Sequence, residues 1–124
     1  MTVFQDNMMR FLALAAFAAA TLLAPAAANA QASQNFALVN RSGAQIDEVY
    51  VSASNRDSWG RDILGDGVMP SGTRRNITFP RGTTACDFDI RVVFAAGQRR
   101  ETRGVNLCEV STVTVTPSGR FTTE

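Results

Sequence analysis

Between residues 86 and 94 apolar and polar side chains alternate: Phe88, Ile90, Val92 and Phe94 share one parity, Asp87, Asp89 and Arg91 the other. Successive side chains of a strand point to opposite faces, so this segment predicts a strand with one face on a core and one in water. Shorter β-rich runs predict strands at 35–39, 46–52, 73–79, 99–107 and 111–116, with a short edge strand at 68–69. Clusters of Gly, Pro, Asn and Ser place turns at 40–43, 70–72, 80–84 and 95–98. Residues 53–67 form a long polar connection, with one helical turn expected over 59–64, and the tail 117–124 is expected to fray. Six or seven short strands at nearly regular spacing predict an all-β fold, a small antiparallel β-sandwich.

The first 30 residues follow another pattern. Arg10 precedes fourteen residues, 11–24, built only from Phe, Leu, Ala and one Thr; Pro25 ends the run, and Ala28-Asn29-Ala30 follows. A basic start, an apolar stretch and small residues at −3 and −1 make a cleavable secretory signal, expected as a helix. A bilayer core needs about 20 apolar residues, so a membrane anchor is the weaker reading. Cleavage after Ala30 leaves 94 residues, 31–124, as a single domain. Export to the periplasm or the exterior follows, with no stable membrane anchor after cleavage.

Export changes the meaning of Cys86 and Cys108, the only two cysteines. An oxidising compartment permits a disulfide between them, whereas two cysteines without C-x-x-C spacing make a poor redox or zinc site. A hairpin centred on Gly97 sets them opposite each other, on the face of Phe88 and Phe94. The same register turns Arg100 and Asn106 towards that face, a conflict that a bulge near Gly104 would relieve.

Composition then removes chemistries. The chain contains no Lys and no His, and residues 31–124 carry eleven Arg against ten acids. Without His, the commonest general base and metal ligand are missing together. A net charge near +1 with no basic run makes nucleic acid an unnatural partner. Asp57, Asp62 and Asp66, with Asp87 and Asp89, match no calcium loop. Asp87 and Asp89 share a strand face read as exposed, where nothing would tune them as a catalytic pair. No catalytic residue, metal or cofactor is expected, and the chain is read as a non-enzyme.

The connection after residue 52 carries the best candidate surface: Tyr50, Asp57, Trp59, Arg61 and Asp62. Long loops on β scaffolds often hold binding groups, and an indole beside Arg and acids can anchor a partner or stack on a sugar. Against this stands a structural role, with Trp59 plugging one end of the sandwich above Ile63 and Leu64.

Asn40-Arg41-Ser42-Gly43, Val49-Tyr50-Val51-Ser52-Ala53-Ser54, Trp59-Gly60-Arg61-Asp62-Ile63-Leu64, Cys86-Asp87-Phe88-Asp89 and Cys108 together resemble the pattern of a family of small, uncharacterised exported bacterial proteins. That pattern runs Asn-x-Thr-Gly, Val-Tyr-Val-Ser-Pro-Ser, Trp-Gly-x-Asp-x-Leu, Cys-x-x-Asp and a final Cys. Here Ser42 replaces Thr, Ala53 replaces Pro, and Phe88 takes the place of a tryptophan. The resemblance spans nearly all of 31–124 and implies a fold but no activity. Some members carry the name argininosuccinate lyase, a large helical tetramer whose site these residues could not build. The expectation is therefore a non-catalytic exported domain that binds an envelope or extracellular protein. The alternative is a carbohydrate- or calcium-dependent module using the 52–66 loop.

Overall fold

A computed structural model describes residues 32–124; the expected signal segment and the cleavage point after Ala30 lie outside the described residues. Seven strands run in chain order: β1 (Phe36–Asn40), β2 (Ile46–Ala53), β3 (Arg74–Ile77), β4 (Asp87–Phe94), β5 (Arg99–Asn106), β6 (Thr112–Val115) and β7 (Phe121–Thr123). They form two sheets, ordered β3-β1-β6-β7 and β2-β4-β5. The alternating segment is the centre of the second sheet. Phe88, Ile90, Val92 and Phe94 are all buried, and they meet Leu38, Ile77, Val113 and Val115 of the first sheet in one core. Phe79 bridges the layers, its ring 6.4 Å from Phe36 and 4.8 Å from Phe88. Burying each such aliphatic or aromatic side chain stabilises by roughly 1.5–3 kcal/mol, which makes this face the reason the sheets pack.

Pairing is antiparallel except between β1 and β6, which run parallel with Leu38 opposite Val113. The purely antiparallel expectation is corrected there. β1 lies inside its sheet, and Phe36, Ala37 and Leu38 are all buried, a continuous apolar run of the kind interior strands carry. The tail also departs from expectation. Instead of fraying, residues 121–123 pair with β6, and Ser111 and Thr112 N–H both donate to the Glu124 carbonyl. Pro117-Ser118-Gly119 is the turn that brings them back. Thr116 N–H donates to the Arg120 carbonyl at 2.8 Å, and Gly119 takes φ 80°. The β4–β5 hairpin repeats this device: Phe94 N–H donates to Gln98 at 2.9 Å, and Gly97 takes φ 95°. Three-residue hairpin loops need a left-handed residue at this place, which glycine supplies without strain.

The β4–β5 register centres on Ala96, not Gly97: Val92 faces Arg100 and Arg91 faces Glu101. Towards the far end the ladder shifts by one residue, so that Phe88 faces Val105 and Asp87 faces Asn106. The expected bulge lies there, with Arg103 and Gly104 opposing Asp89 and Gly104 at φ 69°. It carries Asn106 to the face opposite Phe88. Arg100 stays on the Val92 parity, and its side chain lies against Gly119 at the rim of the sandwich. Just past the ladder, Leu107 N–H donates to the Cys86 carbonyl at 2.8 Å. Cys86 and Cys108 form the disulfide, with Cα atoms 5.2 Å apart.

Candidate functional site

The 53–67 connection is tied down by polar side chains. Asp62 Oδ1 accepts the Val49 N–H at 2.8 Å and the Leu64 N–H at 3.0 Å, while Ile63 N–H donates to the Val49 carbonyl at 2.8 Å. Ile46 and Met69 exchange two backbone hydrogen bonds a little further on, in place of the expected short strand. These contacts cover the outer edge of β2 over its first half, where an open edge would invite pairing. The helical turn expected over 59–64 is absent. Gly60 takes φ 76°, and the chain bends through short turns that Asp62 caps. Leu64 is thereby seated in the core, and Ile63 packs at its edge.

Two further polar residues hold the loops that frame this region. Asn40 is fully buried and donates to the carbonyls of Ala44 and Met69, while its own carbonyl oxygen accepts from the Ser42 N–H and hydroxyl. Ser52 reaches across the loop and donates to the Ser58 carbonyl at 2.8 Å. The motif residues Asn40, Ser42, Ser52 and Asp62 thus shape the backbone.

Trp59 stands outside the core. It lies over the outward face of the β2-β4-β5 sheet, with the Arg91 guanidinium 4.7 Å and the Arg103 guanidinium 5.4 Å from its ring centroid. Arg91 pairs across the strands with Tyr50 on one side and Glu101 on the other, so the outward face is a ladder of charge with an aromatic cap. Arg91 Nη2 lies 2.6 Å from Glu101, and Arg103 bridges Glu101 at 2.8 Å and Asp89 at 3.0 Å. Hydrogen bonding to Arg91 and then to Arg103 holds the Glu101 carboxyl below its usual range, even though burial opposes this. The Tyr50 hydroxyl donates to Glu48, which raises the phenol above its ordinary value.

Asp89 is where the structure overturns the exposed carboxylate pair. Asp87 is exposed, but Asp89 is only 6% exposed and fills the gap at the β5 bulge. Burial by itself pushes its carboxyl up. The Ser54 hydroxyl at 2.7 Å, the Gly104 N–H at 3.0 Å and the Arg103 guanidinium together outweigh burial and hold it below the usual range. A carboxylate so held is an anchor for the 53–67 connection and a poor proton donor.

Beside Trp59, between the edges of β2 and β3, opens a groove of about 770 Å³. Val51, Ala53, Ile63 and Phe79 supply apolar surface above the buried Ile77 and Phe88, while Arg56, Arg61 and Arg75 stand among its lining residues with no carboxylate. Among the described residues the ion pairs engage Arg91 and Arg103, leaving these three arginines unpaired.

The five candidate residues therefore divide. Tyr50 and Trp59 share the outward sheet face, Trp59 and Arg61 border the groove, Asp57 lines a smaller cleft with Trp59 and Arg103, and Asp62 serves the backbone. Arg56, Arg75 and Phe79 were not singled out by the sequence. The signal of Arg75 was weak, because an arginine in a short strand reads as a solvated side chain until the facing edge is known, and Arg56 was legible only as part of the 52–66 loop. Among the described residues no group of three His, Cys, Asp or Glu could hold a metal ion. No family model, curated protein or solved structure matches the chain.

Proposed function

We propose that the chain is an exported, non-catalytic domain that binds another protein through the groove between β2 and β3. The observation that carries this reading is the groove's make-up: apolar side chains set among polar ones, with three unpaired arginines and no carboxylate. Such a surface presents uncompensated positive charge next to apolar area, the combination that favours a complementary partner. The disulfide and the fastened loop support it, because a rigid surface loses little entropy on binding. The Cys86–Cys108 bridge suits an oxidising compartment, so the periplasm or the exterior is the proposed location.

A photo-crosslinker at position 61, used in the cells that make the protein, tests the reading. It is expected to give one discrete protein adduct, lost when Arg56 and Arg75 are both replaced by Ser. Diffuse adducts, or one indifferent to those substitutions, would sink it. The sugar- or calcium-binding alternative has less support, since Arg91 and Arg103 lie close over the indole that a sugar would stack on. Titration with glycans or calcium, followed by Trp59 fluorescence, separates the two.

A further inference from the structure

The two edges that flank the groove differ in how they are closed. Val49 gives both backbone groups to Asp62 and Ile63, so its N–H and C=O point away from β4. The β2–β4 register runs unbroken from Glu48 to Ala53, and parity therefore turns the Val51 N–H and C=O to the same open side. No described loop residue takes them up. On the other wall β3 is the outermost strand of its sheet. Asn40 N–H donates to Thr73 at 2.9 Å, which sets the residues of that parity against β1 and points the backbone groups of Arg74 and Asn76 outwards. Neither residue has a backbone partner among the loops described.

Side-chain parity on β3 is equally specific. Ile77 pairs with Phe36 and Arg75 with Leu38, so Arg75 shares the core-facing side of its strand with Ile77 and stands at the groove mouth. An inward-facing charge on an edge strand rejects a neutral or like-charged neighbour. A second copy is disfavoured for this reason, because pairing β3 antiparallel with itself about Arg75 sets the two Arg75 side chains against each other. A strand with carboxylates at alternate positions meets no such obstacle. It finds backbone donors and acceptors on β3, apolar surface at Phe79, and guanidinium forks at Arg56, Arg61 and Arg75.

We propose that the groove takes an extended acidic peptide segment of the partner, added as a strand to the free edge of β3. This deepens the protein-binding reading and rests on it. Backbone hydrogen bonds hold the segment, the carboxylates lie on the strand face that Arg75 shares and form charge-assisted, two-pronged hydrogen bonds with the groove arginines, and the alternate apolar side chains lie on the opposite face.

The test uses the purified protein and a fluorescein-labelled peptide of four Val-Glu repeats, read by fluorescence anisotropy. Saturable binding that weakens with salt is expected, and four Val-Lys repeats are expected not to bind. Arg75→Ser, at an exposed position, is expected to weaken binding about tenfold or more while the melting temperature holds. Two further peptides carry N-methyl groups either on the valines or on the glutamates. Strand addition uses the N–H groups of one parity only, so one pattern abolishes binding and the other leaves it. No saturable binding, equal effects of the two methylation patterns, or an unchanged Arg75→Ser would each overturn the inference. A partner crosslinked at position 61 that the Val-Glu peptide fails to displace would overturn it while leaving the protein-binding reading intact. Loss of both signals removes both.

Discussion

Asp89 shows how far one residue's role departs from its place in a pattern. By parity it belongs to the solvent side of β4, yet it is buried because the bulge at Gly104, fifteen positions later, opens a gap that its carboxylate fills. Removing that carboxylate orphans the Gly104 N–H and the Ser54 hydroxyl. Asp89→Ala is expected to lower stability by about 1–3 kcal/mol in urea denaturation. The pH dependence has a definite sign. The folded carboxyl sits below its unfolded value of 3.8, so its contribution is full above that pH and is lost as pH falls towards the folded value. The wild type is therefore expected to lose stability more steeply below about pH 4 than Asp89→Asn, and parallel acid curves would refute the assignment. Asn40 makes the same point at the other end of the molecule. Its four hydrogen bonds join the β1–β2 turn to Met69, and Asn40→Ala is expected to cost at least as much as Asp89→Ala. The burial of Asn40 was not legible in the sequence, where an Asn before Ser-Gly reads as an exposed turn residue.

Among the elements, the two hairpins show what local sequence carries. Ala95-Ala96-Gly97 and Pro117-Ser118-Gly119 close the same kind of loop, but only the first was expected as a turn between strands. The sequence predicts a frayed tail from Pro117, yet Pro117 opens a turn whose φ proline suits. β7 is three residues long and has little apolar content, so no alternation could announce it. Its stability comes from pairing with β6 and from the bonds that Glu124 makes with Ser111 and Thr112. Cys86 and Cys108 lie beyond the last rung of β4–β5 and clamp its open end. In the chain-entropy account, a loop closed over 22 positions contributes about 3 kcal/mol. Replacing both cysteines by Ser is expected to lower the unfolding free energy by that order, with the β signal in circular dichroism retained. Unchanged stability would mean that the bridge only decorates the hairpin. At Gly97, where φ is 95°, substitution by Ala is expected to cost about 1–2 kcal/mol through backbone strain alone.

At the scale of the whole molecule, the features that bear on binding arise where distant segments meet. Trp59 meets Arg91 and Arg103 across three strands, and the groove needs β2, β3 and the loop before β4 together. Trp59→Ala removes two cation–π contacts and is expected to cost about 1–2 kcal/mol without unfolding the domain. A loss much larger than this would restore Trp59 to the core, where the sequence had offered to place it as a plug. The expected surface of Tyr50, Asp57, Trp59, Arg61 and Asp62 was legible as a loop but not as a geometry. Asp62 turned to the backbone, while Arg56 and Arg75 came in from either side.

Alternation in 86–94, the spacing of short β runs and the paired cysteines were enough to establish an all-β, disulfide-closed architecture over the described residues and the buried face of β4. These follow from local parity and covalent pairing, which neighbouring residues express by themselves. The parallel pairing of β1 with β6, the burial of Asp89 and Asn40, the return of the tail and the arginine-rimmed groove were decided only by the tertiary structure. Each depends on which strand edges face one another, and residues far apart in the chain share no local pattern that states it.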